Sequence, residues 1–130
     1  MKNVFVAFAL LASVLGVSCK KGDEANPQTS PASSRTIDVE YLIQCPSGAA
    51  NADYIAPDAD GNLAMTHEEI NRTSKVVAFT CPSGIFLSVS ASNAMPSHDV
   101  VQVQIFVDGV LVADNSTTDP AQKAIAQGNF

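Results

Sequence analysis

The chain has 130 residues, a formal net charge of −6 at pH 7, 46% hydrophobic residues and no tryptophan. A chain of this length holds one domain with a single modest core. Its acidic balance argues against a nucleic-acid-binding protein and against docking on anionic lipid by charge.

The amino terminus has the layout of a secretory signal. A short positive start is followed by the nearly unbroken apolar run 4–18, and Cys19 comes directly after the small residue Ser18. The run is too short for a comfortable membrane-spanning helix, which needs about 20 apolar residues. We predict a lipoprotein signal peptide over residues 1–18, cut before Cys19, whose thiol carries the lipid. Ordinary signal cleavage and an uncleaved anchor helix are the alternatives.

Residues 19–35 are expected to form a flexible tether behind the lipidated cysteine. They are rich in Ser, Pro, Asn and Gln, a composition that cannot bury enough surface to fold. The KKGDE stretch after Cys19 is similar to signals that send some lipoproteins to the outer face of the outer membrane. We therefore expect a cell-envelope protein attached to the outer membrane by lipid, facing the periplasm or the cell surface. Residues 36–130 are its folded domain.

Apolar residues of the domain recur at every second position, which is typical of strands and not of helices. Segments with this alternation lie near 36–44, 51–56, 63–69, 75–81, 85–92, 100–107 and 110–114. Each has one apolar face and one wet face, as expected for antiparallel sheets packed as a sandwich. A last strand near 122–127 or a short helix over Pro120–Gln127 follows. We predict an all-β, immunoglobulin-like antiparallel β-sandwich of about seven strands.

Turn-forming residues separate these segments. Asp108-Gly109 lies between two apolar runs and predicts a hairpin, and the Asp-Gly-Asn at 60–62 predicts another. Pro-Ser-Gly occurs at 46–48 and at 82–84, where proline pre-sets φ and glycine permits a positive φ.

The tetrapeptide Cys-Pro-Ser-Gly occurs twice, headed by Cys45 and Cys81. Both cysteines fall on the inward parity of their strands, where a strand meets a turn. With Cys19 used for lipid, the domain holds an even number of cysteines in an oxidising compartment, which favours a disulfide. We therefore expect a Cys45–Cys81 disulfide. Two buried free thiols are the alternative, because parity says nothing about distance.

Residues 58–69 read DADGNLAMTHEE, which matches much of a twelve-residue calcium loop. Asp58, Asp60 and Asn62 stand at positions one, three and five, and Glu69 stands at position twelve. Leu63 occupies position six, where the loop needs glycine. We expect a solvated hairpin tip, with weak calcium binding through the four oxygen-bearing residues as the alternative.

Other chemistry-bearing patterns are incomplete. Neither CPSG copy carries the second cysteine of a C-x-x-C pair, and His67 and His98 stand apart, which argues against zinc and thioredoxin-type sites. HEEIN at 67–71 lacks the second histidine of H-E-x-x-H, and no serine lies in a G-x-S-x-G turn. We therefore expect no enzymatic activity, no catalytic residues and no cofactor.

Three stretches resemble the MmpS family, small membrane-anchored proteins that accompany MmpL-type RND lipid exporters. They are YIAPDADGN from Tyr54, SKVVAFTCPSGIFLSVSASN from Ser74 and VQVQIFVDGVLVADNS from Val101. The resemblance implies a seven-stranded β-sandwich without catalytic or cofactor residues. Arg72-Thr73 stands where family members often carry an aromatic residue, and a lipid on Cys19 would replace the family's transmembrane anchor.

These observations predict a non-catalytic binding or adaptor module of the cell envelope, accessory to a transport complex. Its expected partners are the membrane, through Cys19, and an envelope transporter or another envelope protein, with no nucleic acid. Phe86 and Phe106 fall on wet faces by parity and are candidate members of a partner patch; packing under a neighbouring loop is the alternative. A surface adhesin or glycan-binding module and a calcium-stabilised extracellular domain are the other function classes left open.

Overall fold

The structure of the protein is a computed structural model that describes residues 35–130, which form eight strands. They are β1 (Thr36–Gln44), β2 (Ala50–Pro57), β3 (Leu63–Ile70), β4 (Ser74–Pro82), β5 (Phe86–Asn93), β6 (Val101–Val107), β7 (Val110–Thr117) and β8 (Ala124–Asn129). The strands form two antiparallel sheets, in the order β4-β1-β6-β7 in sheet A and β3-β2-β5-β8 in sheet B. The predicted all-β antiparallel sandwich is confirmed, with eight strands in place of about seven.

The C-terminal segment is a strand. β8 pairs antiparallel with β5. Ala124 and Ala126 are buried while Ile125 between them is exposed, so the two-residue alternation continues to this point. The expected last strand is confirmed at Ala124–Asn129, and the alternative of a short helix is wrong.

Each half of the domain is a long hairpin. Each arm of the hairpin contains two strands, one in sheet A and one in sheet B. In the first half, β1 and β2 run out to a turn at 58–62, and β3 and β4 return beside them. In the second half, β5 and β6 run out to Asp108-Gly109, and β7 and β8 return. Each hairpin bends midway, so that its tip half lies in one sheet and its base half in the other. Pairing of β1 with β6 and of β2 with β5 joins the two halves.

This arrangement gives the sandwich two different ends. The turn end carries the tight connections 58–62, 83–85 and 108–109, together with Arg35 and Phe130. The corner end carries the connections at which the hairpins change sheet, at 45–49, 71–73, 94–100 and 118–123. Arg35 is the first described residue, so the preceding chain enters the domain at the turn end.

Asp108 fixes the hairpin tip of the second half to the start of β1. It adopts a φ of 50°, and Gly109 a φ of 76°, which is the left-handed pair that a tight hairpin turn requires. Its carboxylate accepts hydrogen bonds from the backbone N–H of Asp38, at 3.0 Å, and from the Arg35 guanidinium, at 2.5 Å. Its own N–H donates to the carbonyl of Asp38 at 2.8 Å.

The inward residues of both sheets make one apolar core, as the alternation predicts. The largest fully buried side chains are Tyr41, Ile43, Ile70, Leu87, Ile105, Val89, Val101, Val103 and Cys45. Tyr41 lies at the centre, edge-on to Phe79 at 5.4 Å and to Tyr54 at 6.2 Å between ring centroids. Its hydroxyl crosses the sandwich and donates to the carbonyl of Ile55 at 2.8 Å. Burial raises the pKa of Tyr41.

The two CPSG turns share a local shape and serve different ends of the molecule. Gly48 and Gly84 have φ values of 79° and 81°, so each motif closes on a left-handed glycine. The first turn carries the chain from sheet A to sheet B at the corner end. In the second, the Ser83 N–H donates to the Arg35 carbonyl at 2.7 Å, and the Gly84 N–H donates to the Phe130 carbonyl. The second turn therefore holds both ends of the described chain.

Candidate functional site

The predicted lipid site lies outside the described residues. Cys19, the signal peptide over 1–18 and all of the tether except Arg35 precede the first described residue. Within the described part of the chain, no helix is long and apolar enough to cross a membrane.

The predicted Cys45–Cys81 disulfide is wrong. Both cysteines are free and buried. Cys81 stands opposite Ile37 near the start of β1, whereas Cys45 follows the end of β1 at the corner end. The eight residues from Ile37 to Cys45 span about 26 Å of strand, far beyond the roughly 7 Å that a disulfide allows between Cα atoms. The alternative of two buried free thiols is confirmed.

The alternative of a calcium-binding loop over 58–69 is wrong, because its candidate ligands do not lie together in the structure. The Asp58 carboxylate accepts hydrogen bonds from the N–H groups of Asp60 and Asn62, both at 2.9 Å, and so closes the hairpin turn. Glu69 lies opposite Asn51, six residues along β3 from Leu63 and about 20 Å from the turn. The segment is the solvated hairpin tip that was the preferred interpretation.

Phe86 and Phe106 both point outward but cannot form one patch. Phe86 lies on β5 in sheet B and is 48% exposed. Phe106 lies on β6 in sheet A, so the two rings stand on opposite outer faces of the sandwich. Alternation places a side chain on the wet side of its strand, but it does not say which sheet that strand joins. The patch of two phenylalanines is therefore corrected to two separate surfaces.

Each of the four strands of sheet A places at least one apolar side chain on its outer face, among polar ones. Leu42 stands opposite Val76 on β4, and Phe106 stands opposite Leu111 on β7. Val76 is 53% exposed and Leu111 is 45% exposed. A β-bulge between Ile105 and Phe106 brings Leu111 to the outer side. We call this surface, formed by Leu42, Val76, Ala78, Phe106 and Leu111 with the carboxylates described next, the sheet A face.

Three carboxylates share the sheet A face. Glu40 stands between Ala78 and Phe106 in one cross-strand row, with Asp38 two residues before it on β1. Asp114 lies on β7, opposite Gln104 of β6. None of these three carboxylates makes a hydrogen bond or ion pair with any residue in 35–130. The outward positions of the four strands hold no lysine or arginine.

An open groove of about 590 Å³ crosses the sheet A face beside the hairpin tip. Its lining residues are Asp38, Val39, Glu40, Ala78, Phe79, Thr80, Phe106 and Gly109. The floor is formed by small and apolar side chains, with the Glu40 carboxylate between them and the Phe106 ring at one wall. This arrangement can hold an apolar group and a cation side by side.

The outer face of sheet B differs because its central carboxylate is already neutralised. Asp53 accepts a hydrogen bond from the Lys123 ammonium at 2.5 Å and contacts the His67 ring at 2.6 Å. The Lys123 hydrogen bond, and then that of His67, hold the pKa of the Asp53 carboxyl below its usual range. This face therefore offers less uncompensated charge to a partner than the sheet A face does.

Asp53, His67 and Ser90 share the sheet B face but do not form a catalytic triad. The carboxylate stands between the other two, with His67 opposite it on β3 and Ser90 opposite it on β5. Two strand spacings therefore separate the backbones of serine and histidine, about 10 Å. A hydrolytic triad needs the histidine in the middle, in contact with the serine hydroxyl.

A cluster of hydrogen-bonded polar side chains joins two connections at the corner end. The Cys45 thiol lies 2.9 Å from the Ser47 hydroxyl and 3.1 Å from the carbonyl of Ala49. Ser47 donates to the side-chain carbonyl of Asn93 at 2.9 Å, and the Asn93 amide donates to Ser97 at 2.6 Å. These bonds tie the connection after β1 to the connection after β5, and they satisfy the buried Asn93.

An ion pair lies between the edges of the two sheets. Lys75 on β4 and Glu68 on β3 both point to the inner side, and the Tyr54 hydroxyl donates to the Glu68 carboxylate at 2.6 Å. Lys75 first, and then Tyr54, lower the pKa of Glu68. Burial and the adjoining carboxylate raise the pKa of Tyr54 to about 12. Inward charges at edge strands oppose unwanted pairing with other chains.

Residues 35–130 contain no cluster of three or more side chains that could hold a metal ion. The residues of the sheet A face were missed as a group by sequence reasoning, apart from Phe106. The alternation of β1 and β4 signals that Glu40 and Val76 point outward. The neighbourhood of Glu40, Phe106 and Leu111 depends on strand order, for which the sequence carries no local signal.

No protein-family model matches this chain, and no curated protein matches it either.

Proposed function

We propose that the protein is a lipid-anchored, non-catalytic binding and adaptor module of the cell envelope, accessory to an envelope transport complex. The observation that carries the proposal is the sheet A face, where exposed apolar side chains share a surface with carboxylates that have no cation among the described residues. A surface of this kind is suited to contact with another protein.

The position of the chain entry supports an adaptor. Arg35 lies at the turn end, so the corner end is the end of the domain far from the attachment of the tether. A lipid on Cys19 and the tether over 19–35 would hold the domain near the membrane while leaving the sheet A face accessible. The sequence stretches that resemble the MmpS family support a partner of the RND exporter class.

The non-catalytic part of the proposal has its own support. The carboxylate–histidine contact on the sheet B face lacks a serine in reach of the histidine, and both thiols of the described chain are buried. A buried thiol with a raised pKa, as burial gives Cys81, is a poor nucleophile.

The anchor is tested by the intact mass of the membrane-extracted protein. The expected mass is that of a chain beginning at Cys19 plus acyl chains, and Cys19→Ser should abolish both the lipid and the membrane fraction. A chain without lipid would refute the anchoring.

The adaptor role is tested by photo-crosslinking in intact cells, with a photoreactive residue at Val76 or Leu111 of the sheet A face and a matched control at Met65 of the sheet B face. Met65 is also well exposed, at 63%. We expect a crosslink to an envelope transport protein from the sheet A positions only, lost in the Cys19→Ser variant. Equal crosslinking from both faces, or crosslinking to glycan instead of protein, would contradict the adaptor role.

A further inference from the structure

We infer that the sheet A face binds a cationic amphipathic peptide segment of a partner protein. The inference rests on the proposed function and specifies the chemistry of the partner. Charge complementarity carries it: Glu40 lies between Ala78 and Phe106, Asp38 and Asp114 lie on the same face, and no hydrogen bond or ion pair within residues 35–130 uses these three carboxylates.

Within residues 35–130, the cation beside this face is already engaged. Arg35 borders the groove at the turn end, and its guanidinium is held by Asp108 at 2.5 Å. The remaining carboxylates present an uncompensated negative field over an apolar floor. An anionic lipid, a nucleic acid or an acidic peptide would be repelled there.

The apolar floor requires more than a free cation. Leu42, Ala78, Phe106 and Leu111 occupy outward positions on four adjacent strands, which span about 14 Å at about 4.8 Å per strand. Such a surface is wide enough for one face of a short peptide. Burial of these side chains would supply affinity, while the carboxylates would select the charge of the partner.

Glu40 and Phe106 define the centre of the site. They are directly opposite each other on β1 and β6, and both line the groove. A lysine or arginine of the partner seated here would pair with the carboxylate while its alkyl stem or guanidinium contacts the ring. Apolar residues beside that cation would contact Leu42 and Leu111. Because successive side chains of an extended peptide point to opposite sides, the matching sequence carries basic and apolar residues in turn at every second position.

The sheet B face provides the internal contrast. It also has exposed apolar residues, but its central carboxylate is paired with Lys123 and His67. If apolar exposure alone sufficed, both faces would bind the same peptides. If charge complementarity decides, only the sheet A face should do so.

The test is a titration of the full-length, membrane-extracted protein with a fluorescent peptide that contains lysine, leucine and serine, followed by anisotropy. In this peptide, lysine and leucine take turns at every second position and serine separates them, so that both types share one side of an extended chain. We expect saturable binding that weakens with added salt, and no binding of the matched peptide with glutamate in place of lysine. Absence of binding by the lysine peptide, or binding of both peptides, would overturn the inference.

Two matched sets of charge variants place the binding on one face. The triple variant Asp38→Asn, Glu40→Gln, Asp114→Asn should weaken the affinity by about tenfold or more. The control triple variant Asp60→Asn, Glu69→Gln, Asp99→Asn removes the same charge from exposed positions off the face, and its affinity should stay within about twofold. Equal weakening in both sets would mean attraction to overall charge and would overturn the inference.

A pair of aromatic variants tests the apolar part in the same way. Phe106→Ser should weaken binding several-fold, whereas Phe86→Ser on the sheet B face should not. Thermal unfolding of each variant shows whether it folds. If Phe106→Ser does not fold, Leu111→Ser, which changes a more exposed side chain on the same face, replaces it with the same expectation.

The other occupant to be distinguished is the chain's own basic segment at Lys20 and Lys21. Replacing both by serine should leave peptide affinity unchanged, and a clear rise in affinity would assign the face to that segment and overturn the inference. The anchoring and crosslinking results are independent of this titration. Crosslinks from the sheet A face without peptide binding would retain the proposed function and reject only the cationic partner.

Discussion

Lys75 and Glu68 form an ion pair across the gap between β4 and β3, which are edge strands of different sheets. The pair is only partly exposed, and the Tyr54 hydroxyl donates a further hydrogen bond to the Glu68 carboxylate. On the opposite side of the sandwich, the Asn115 amide of β7 donates to the Ile125 carbonyl of β8 at 3.0 Å. One polar link therefore spans each side of the sandwich.

The Glu68 carboxylate should make the domain sensitive to acid. Its pKa is lowered in the folded state by Lys75 and Tyr54, so its contribution to stability is present above the unfolded pKa of about 4.3 and is lost as pH falls through the folded value. Glu68→Gln should lower the free energy of unfolding at pH 7 by about 1 kcal/mol and flatten its decline below pH about 4.3. Urea unfolding at several pH values measures both effects. Glu69→Gln, on the outward side of the same strand, is the control and should keep the wild-type pH profile; parallel profiles for Glu68→Gln and wild type would refute the role.

Tyr41→Phe should destabilise the domain without changing its shape. The substitution removes the hydroxyl that bridges the sheets and leaves the Ile55 carbonyl without that donor. The expected loss is about 1–2 kcal/mol in the free energy of unfolding, with an unchanged dependence on urea because the surface exposed on unfolding stays the same. A loss below a few tenths of a kcal/mol would show that the buried bond is replaceable.

Both thiols of the domain should resist alkylation until the chain unfolds. Cys45 and Cys81 are 1% and 4% exposed, and burial raises the pKa of Cys81. Iodoacetamide added to the native Cys19→Ser chain should label neither residue, and both should be labelled in urea without any reductant. Mass spectrometry counts the labels. A requirement for prior reduction would restore the disulfide that the separation of the two residues rules out.

Gly128 and Phe130 should be energetically coupled. The Phe130 ring lies over Gly128, and a Cβ added to this glycine would stand 2.6 Å from the ring carbon Cζ. Gly128→Ala should therefore cost about 1–2 kcal/mol, because the ring must leave its position against the core. In a Phe130→Ala background the same substitution should cost nearly nothing. A double-mutant cycle from urea unfolding measures the coupling, and additive effects would show that the ring moves freely.

Local alternation explains why the strands could be predicted and why the site could not. Val39, Tyr41 and Ile43 repeat every second position and are buried, so both the strand and its inner face follow from the sequence. The same rule placed Phe86 and Phe106 outward. It could not tell that their strands belong to different sheets, because strand order depends on pairing between distant segments.

The cysteines show the same limit in another form. The two-residue alternation correctly predicted that Cys45 and Cys81 point inward. It carries no information on where along the strand axis each residue lies. The pairing of β1 with β4 in antiparallel register sets the two residues at opposite ends of the molecule. Likewise, the oxygen-bearing residues 58–62 were recognised correctly as a turn, whereas Glu69 joined them only in the linear sequence.

The two folded hairpins also set the order in which the domain can assemble. Their tips, at 58–62 and 108–109, join strands that are neighbours in sequence, so these turns close short loops and can nucleate early. Pairing of β1 with β6 and of β5 with β8 must close loops of several tens of residues and comes later. Substitution of Gly109, whose φ of 76° the second turn requires, should therefore act mainly on the rate of folding, whereas changes at the Lys75–Glu68 link should act mainly on the rate of unfolding. The residues that keep the folded sandwich closed are thus distinct from those that initiate folding. Substitutions can therefore change the unfolding rate of the domain without slowing its folding.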